Sequence, residues 1–101
     1  MIIEYIRYDI PESRAEEFLA AYRAAATELR SSTHCLAYEV SRCTEEQTSF
    51  MVRIEWDSID GHLKGFRKES GFPSFFSKVK PFFEQIREMR HYEMTDAERK
   101  T

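Results

Sequence analysis

The sequence predicts a single α+β domain in which helices cover one face of a four-stranded antiparallel sheet. The chain has 101 residues, which fits the roughly 100–200 residues of one domain. In some segments apolar side chains alternate with polar ones, as in strands, and in others they recur every three or four residues, as in helices. We place the domain at residues 1–95 and a polar C-terminal tail at residues 96–101.

Composition and charge exclude several classes of function. The net charge is −3 and the basic residues are scattered along the chain, so the sequence has no basic footprint for nucleic acid. No apolar run reaches the roughly 18 residues that a membrane span needs, and the N-terminus carries no secretory signal. We therefore expect a cytoplasmic protein with no nucleic-acid or membrane partner. Cys35 and Cys43 are expected to be free thiols, and no spacing of potential ligands predicts a metal site.

The first predicted element is a strand from Ile2 to Ile10, which is rich in Ile and Tyr and ends before Pro11. Alternation divides its side chains between two faces: Ile2, Ile6, Tyr8 and Ile10 on one, and Ile3, Tyr5 and Arg7 on the other. Neither face is fully polar, which indicates that both faces of the sheet are covered.

A helix follows this strand. Ser13 and Glu16 fit the capping-box pattern, in which a hydroxyl residue is followed three positions later by Glu. The helix ends at the polar segment from Ser31 to Thr33, and one stripe of its surface is apolar: Phe18, Leu19, Tyr22, Ala25, Ala26 and Leu29.

Two strands joined by a polar hairpin loop come next. The second strand runs from about Cys35 to Cys43, and the third covers Ser49 to Trp56. Arg53 is expected at a dimer interface or in a salt bridge with Glu39 or Glu55. The expected faces are Leu36, Tyr38 and Val40 in the second strand, and Phe50, Val52, Ile54 and Trp56 in the third.

The last third of the chain predicts two helical segments and a strand. Asp57 or Ser58 would cap a helix that extends to Lys68. A further helix would begin near Pro73 and kink or end at Pro81, and the final strand would run from about Ile86 to Met94. The order β-α-β-β-α-(α)-β is that of the ferredoxin-like fold. One sheet face would be bare in a monomer, which predicts a two-fold homodimer.

From Ile2 to about Met94 the sequence resembles the antibiotic biosynthesis monooxygenase family. The most telling segment, Phe50 to Leu63, contains a strand that ends in Trp56, a capping turn and a helix bearing His62. The resemblance implies a dimeric α+β barrel of the quinol monooxygenase type. Such an enzyme oxidises a small quinol or polyphenol with dioxygen and uses no metal, flavin or other cofactor.

The same resemblance implies a cavity between the sheet and the helices, and it indicates candidate site residues. His62 is the catalytic candidate, because its unperturbed pKa of about 6.5 suits proton transfer near neutrality; alternatively it is a structural histidine. Trp56 could bind a substrate oxygen through its indole N–H or pack in the core. His34 is expected in solvent, and His91 is expected to be structural or interfacial. The other substrate-binding candidates are Tyr5, Arg7, Phe66, Phe72 and Phe76.

Two alternative functions stay open at this stage. The same pocket could bind a small aromatic ligand without turnover, or the protein could bind or degrade haem. Haem-degrading relatives use an Asn on the first strand together with Trp and His, and this chain contains no Asn. The absence of Asn disfavours haem degradation and any mechanism that holds the substrate anion with an Asn side chain.

Overall fold

The computed structural model describes residues 1–97 and contains one four-stranded sheet with helices on one face. The strands are Ile2–Asp9 (β1), Cys35–Arg42 (β2), Ser49–Trp56 (β3) and Ile86–Glu93 (β4), and the longer helices are Ala15–Ser31 (α1) and Phe72–Val79 (α2). The strand order is β2-β3-β1-β4 and every pair is antiparallel. This order confirms the predicted ferredoxin-like α+β fold. The part of the predicted polar tail at residues 98–101 lies outside the described residues.

The core lies between α1 and the inner face of the sheet. Phe18 of α1 is fully buried, and its ring centroid lies 4.8 to 5.3 Å from four other aromatic rings, those of Tyr8, Tyr22, Phe50 and Phe82. The hydroxyls of Tyr8 and Tyr22 form a buried hydrogen bond of 2.6 Å. The apolar stripe of α1 and the alternation of β3 are therefore confirmed as core-forming patterns.

The outer face of the sheet mixes charged and aromatic groups. Arg53 forms the predicted ion pairs, at 2.6 Å from Glu55 and 3.2 Å from Glu39. Tyr5 and Tyr92 pack edge to face with ring centroids 5.4 Å apart, and Tyr92 is 46% exposed. This face thus presents apolar area to solvent in the isolated chain.

The predicted capping box at Ser13 and Glu16 is wrong. The Pro11 carbonyl accepts the Arg14 N–H at 2.8 Å, which closes a 3₁₀ turn, Glu12–Arg14, before the helix. Ser13 lies inside that turn, and the residue at the N-cap of α1 is Arg14, which makes no side-chain capping bond. Arg14 instead pairs with Glu17 at 3.3 Å.

Leu36 does not share a face with Tyr38 and Val40, as the sequence predicted. A β-bulge between Cys35 and Ala37 shifts the register against β3. Leu36 is consequently 55% exposed, whereas Cys35 packs against the core. Both cysteines are free, as predicted.

The helix predicted from Ser58 to Lys68 contains a π-helical turn, Gly61–Gly65, and a 3₁₀ turn, Phe66–Lys68. Ser58 caps this segment, because its Oγ accepts the Gly61 N–H at 2.8 Å. A Cβ on Gly65 would collide with the His34 ring, and a Cβ on Gly61 would collide with the Asp57 carboxylate. His34 Nδ1 is 2.9 Å from Asp57 Oδ2. The contacts of Ser58 and Asp57 thus hold the start of this segment in place.

The predictions at the two prolines are confirmed. Pro73 lies in the first turn of α2, and Pro81 lies in the 3₁₀ segment Lys80–Gln85 that follows directly. The α-helix therefore ends at Val79. None of the helices formed by residues 1–97 is long and apolar enough to cross a membrane; the cytoplasmic location stays a prediction.

Substituting Gly65 by Ala tests the close contact with His34. We expect Gly65→Ala to lower the free energy of unfolding by about 1–3 kcal/mol, because the added methyl group displaces the His34 ring. In a His34→Ala background the same substitution should be nearly neutral. Urea unfolding of the four proteins in this double-mutant cycle measures the coupling. An equal loss in both backgrounds would contradict the contact.

Candidate functional site

A cavity of about 600 Å³ lies between the inner face of the sheet and the helices. This volume is within the range of small-molecule sites, about 300–1,000 Å³. The wall is mostly aromatic and aliphatic, with the rings of Tyr8, Tyr22, Trp56, Phe66, Phe72, Phe75, Phe76 and Phe83. Three lining residues add a carboxyl, an imidazole and a guanidinium group to this wall: Glu4, His62 and Arg67. The arrangement suits a flat organic ligand that meets a few polar groups at defined points.

Glu4 is the buried carboxylate of the site. It lies on the inner face of β1 with 2% of its surface exposed. Its Oε1 accepts a hydrogen bond from Trp56 Nε1 at 3.1 Å and is 3.6 Å from His62 Nε2. Burial raises the pKa of Glu4 from 4.5 to about 6, although the Trp56 bond and the charge of Arg67 act in the opposite direction. The carboxyl thus titrates close to neutral pH.

His62 projects from the π-helical turn onto the end of β3. Its ring stacks on Trp56 with a centroid distance of 4.3 Å and an interplanar angle of 11°. Burial, which is the largest cause, and the charges of Arg67 and His91 together lower the pKa of His62 to about 3. His62 is therefore neutral at neutral pH.

His91 lies on β4, directly across the strand pair from Glu4. Its Nε2 is 2.8 Å from His62 Nδ1, and the two ring centroids are 5.0 Å apart. These two distances require each nitrogen to point almost directly at the other ring, which is the geometry of an N–H···N hydrogen bond. Burial and Arg67 also lower the pKa of His91. Glu4, His62 and His91 thus form a continuous cluster from the cavity wall to the half-buried His91 on the edge strand β4.

The same three residues could in principle supply ligands to a metal. One donor atom from each lies within 4.8 Å of the others, a geometry found for no other group of three in residues 1–97. The two imidazoles, however, point at each other along a hydrogen bond. Arg67 also adds positive charge to the same cavity. We therefore interpret His62 and His91 as a hydrogen-bonded pair, with the Glu4 carboxyl 3.6 Å from the other ring nitrogen of His62.

The structure brings most of the sequence-predicted site residues together. The cavity wall contains Trp56, His62, Phe66, Phe72 and Phe76. Tyr5 and Arg7 do not join them. They lie on the outer face of the sheet, where they border a shallow depression with Met51, Glu88 and Tyr92. Their placement follows from alternation, since the inward positions of β1 are those of Glu4, Ile6 and Tyr8.

Sequence reasoning missed Glu4, Arg67 and the role of His91 as a neighbour of His62. Glu4 carried a usable signal, because it is a charged residue at an inward position between Ile2 and Ile6. His91 shares its strand face with Met89, another cavity residue. Arg67 gave no local signal, since a charged residue beside Phe66 is ordinary in a surface helix.

Fold and site together define the class of protein: a ferredoxin-like α+β domain with a largely aromatic cavity whose wall contains a buried carboxyl and a buried imidazole. The family model described as antibiotic biosynthesis monooxygenase matches residues 1–77. The chain belongs to that family.

The chain is also similar to individual proteins in sequence or in fold. The chain is 25% identical over 93 residues to the protein YczJ of Bacillus subtilis (strain 168), a match that covers 92% of this chain and 98% of YczJ. A Bordetella bronchiseptica structure that carries the same family name has a TM-score of 0.75 at 20% identity, with 93% and 96% of the two chains covered. A conserved protein from Methanosarcina mazei has a TM-score of 0.74 at 18% identity, with 93% and 92% covered. At these identities the structural likeness shows the fold.

The raised pKa of Glu4 predicts a pH-dependent stability. Because the folded pKa is about 6 and the ordinary value is 4.5, the protonated carboxyl stabilises the fold below pH 4.5. This stabilisation is lost as the pH rises through 6. Relative to Glu4→Gln, which stays neutral, the wild type should lose about 2 kcal/mol of unfolding free energy between about pH 4 and pH 7.5. Urea unfolding of both proteins at the two pH values measures this loss. A pH-independent difference would contradict the buried titration.

Proposed function

We propose that the protein is a cofactor-independent monooxygenase that oxidises a small quinol or polyphenol with dioxygen. The observation that carries the proposal is the cluster of Glu4, His62 and His91, of which Glu4 and His62 line a mostly apolar cavity. The cluster can accept a proton, and the cavity can hold an aromatic ring away from water. Membership of the antibiotic biosynthesis monooxygenase family supports the reaction type.

In the proposed reaction, loss of a hydroxyl proton converts the bound phenol into an electron-rich anion. The anion reduces dioxygen and combines with it. One oxygen atom then forms a new carbonyl group on the ring, and the other leaves as water with two hydrogens from the substrate. All electrons therefore come from the substrate. The protein supplies the proton acceptor, the orientation of the ring and the exclusion of water.

The proton acceptor in this proposal is the Glu4–His62 pair. An ionised Glu4 can only accept hydrogen bonds, so we assign the His62 tautomer that has its proton on Nε2, 3.6 Å from Glu4 Oε1, and whose Nδ1 accepts from His91. The second oxygen of Glu4 has no hydrogen-bond partner among residues 1–97. With a pKa of about 6, Glu4 is matched to proton acceptance near neutral pH. His62 orients the carboxylate, and its neighbour His91 extends the cluster toward the half-buried edge of the sheet.

Oxygen consumption with a panel of hydroquinones tests this proposal. We expect uptake above the rate without protein, and at least a tenfold loss in Glu4→Gln and in His62→Ala, equivalent to about 1.4 kcal/mol of transition-state stabilisation. In the wild type, kcat/KM should rise with pH through an apparent pKa near 6, because Glu4 must be ionised. Any residual activity of Glu4→Gln should lack this rise.

Arg7→Gln is the control, because Arg7 lies on the outer face of the sheet. Its uptake rate should match that of the wild type. A loss in Arg7→Gln as large as that in His62→Ala would move the site to the outer face. Uptake by none of the hydroquinones would contradict the proposed reaction.

A second candidate is a non-catalytic module that binds a small aromatic ligand in the same cavity. It is favoured by one observation: both ring nitrogens of His62 already face partners, as in a structural histidine. Quenching of the fluorescence of Trp56, the one Trp of the chain, would report binding. Binding of hydroquinones without oxygen uptake would support the module over the enzyme.

We also propose that two copies of the chain form a homodimer through the outer face of the sheet. That face carries Tyr5, Met51 and the half-exposed Tyr92 among its charged groups. Pairing of this patch with itself about a two-fold axis would bury the apolar area and leave the inner cavity unchanged.

Light scattering should therefore give about twice the chain mass of 12.0 kDa. Tyr92→Glu places a charge in the middle of the patch and should shift the mass to that of one chain. Met94→Glu, near the edge of the sheet, should not have this effect. A wild-type protein that stays monomeric at micromolar concentration would contradict the proposed dimer.

A further inference from the structure

Arg67 is the cationic side chain in the cavity wall, within the part of the chain that the structure describes. It belongs to the 3₁₀ turn Phe66–Lys68 and directly follows Phe66, whose ring lines the same cavity. No carboxylate oxygen of residues 1–97 lies within 4.0 Å of its guanidinium, and it has no side-chain hydrogen bond there. Arg53 and Lys78, in contrast, are held by ion pairs with Glu55 and Glu28.

The charge of Arg67 acts on the interior of the cavity. It lowers the pKa of Glu4, of His62 and of His91. Arg67 is also exposed, so its guanidinium lies where the cavity meets solvent and its charge is partly screened. A guanidinium that borders an apolar cavity and has no protein carboxylate beside it is suited to an anionic group on a ligand.

We propose that the ligand of this cavity is an aromatic compound that bears a carboxylate, and that Arg67 binds this carboxylate. The inference rests on the proposed function for the location of the site, and it narrows the substrate class. A single guanidinium can form a bidentate pair with one carboxylate. A phosphate dianion is a poorer match, because the cavity wall offers no second cation.

Electrostatics also orients such a ligand. Glu4 is ionised above a pH of about 6 and repels an anion, whereas Arg67 attracts one. The carboxylate of the ligand therefore pairs with Arg67, and its neutral hydroxyl group faces Glu4 and His62. The aromatic ring between the two ends packs against Trp56 and Phe66.

Equilibrium binding in oxygen-free buffer tests this assignment without turnover. Trp56 lines the cavity and is the one Trp of the chain, so its fluorescence reports occupancy. The probes are anthraquinone-2-carboxylate and anthraquinone-2-carboxamide, which differ in charge and little in shape. We expect the wild type to bind the carboxylate at least tenfold more tightly than the amide at about pH 7.5, a difference of about 1.4 kcal/mol.

Arg67→Gln should abolish this preference and leave the affinity for the amide within about twofold of the wild-type value. The unchanged amide affinity shows that the variant is folded and its cavity intact. Lys68→Gln is the matched control, because Lys68 is exposed like its neighbour Arg67 but does not line the cavity; it should retain the preference. Equal affinities in the wild type, a preference that survives Arg67→Gln, or binding of neither probe would overturn the assignment. Absence of oxygen uptake with a normal carboxylate preference would instead count against the monooxygenase alone.

Discussion

The burial of the Glu4 carboxylate on the inner face of β1 constrains the rest of the site. A buried carboxylate is destabilising unless other groups donate hydrogen bonds to it. Here the indole N–H of Trp56 does so at 3.1 Å. The β1–β3 register pairs Ile2 with Trp56 and Glu4 with Ile54, so the indole and the carboxylate are diagonal neighbours on one face. A shift of one residue in this register would place Glu4 in solvent and separate the two groups.

The π-helical turn Gly61–Gly65 completes the cluster by returning the chain onto the end of β3. Its glycines allow the turn to lie against the His34 ring, and His34 is bonded to Asp57 at the end of β3. The Asp57 N–H also donates to the His34 carbonyl at 3.0 Å. This anchor fixes where the turn begins. His62 then stacks on Trp56, six residues earlier in the chain. π-Helical turns are frequent at functional sites, and this one places the imidazole within 3.6 Å of the buried carboxylate.

Patterns within a few residues of sequence predicted most of the fold. The alternation of β3 gave its bounds, and Pro81 gave the end of α2 at Val79. The capping box predicted at Ser13 was wrong, because that motif competes with the 3₁₀ turn that follows Pro11.

The site was harder to predict, because the residues that form it are distant from one another in sequence. Trp56 lies 52 residues from Glu4, and no local pattern predicts that a charged side chain will meet a buried hydrogen-bond donor. Hydrophobic periodicity assigns charged residues to the solvent-exposed face by default. For strand residues such as Tyr5, the face depends on the register of the strand.

Burial also reverses the order of pKa values on which the sequence-based choice of His62 as the catalytic candidate rested. Unperturbed, an imidazole titrates near neutrality and a carboxyl well below it. In this cavity the order is reversed, since burial lowers the pKa of His62 to about 3 and raises that of Glu4 to about 6. Each shift disfavours the charged form, and the charged forms have opposite signs. At neutral pH the cluster is therefore an ionised carboxylate beside a neutral imidazole. In the proposed reaction, the group with a pKa suited to accepting a proton is Glu4, which local sequence patterns assign to solvent.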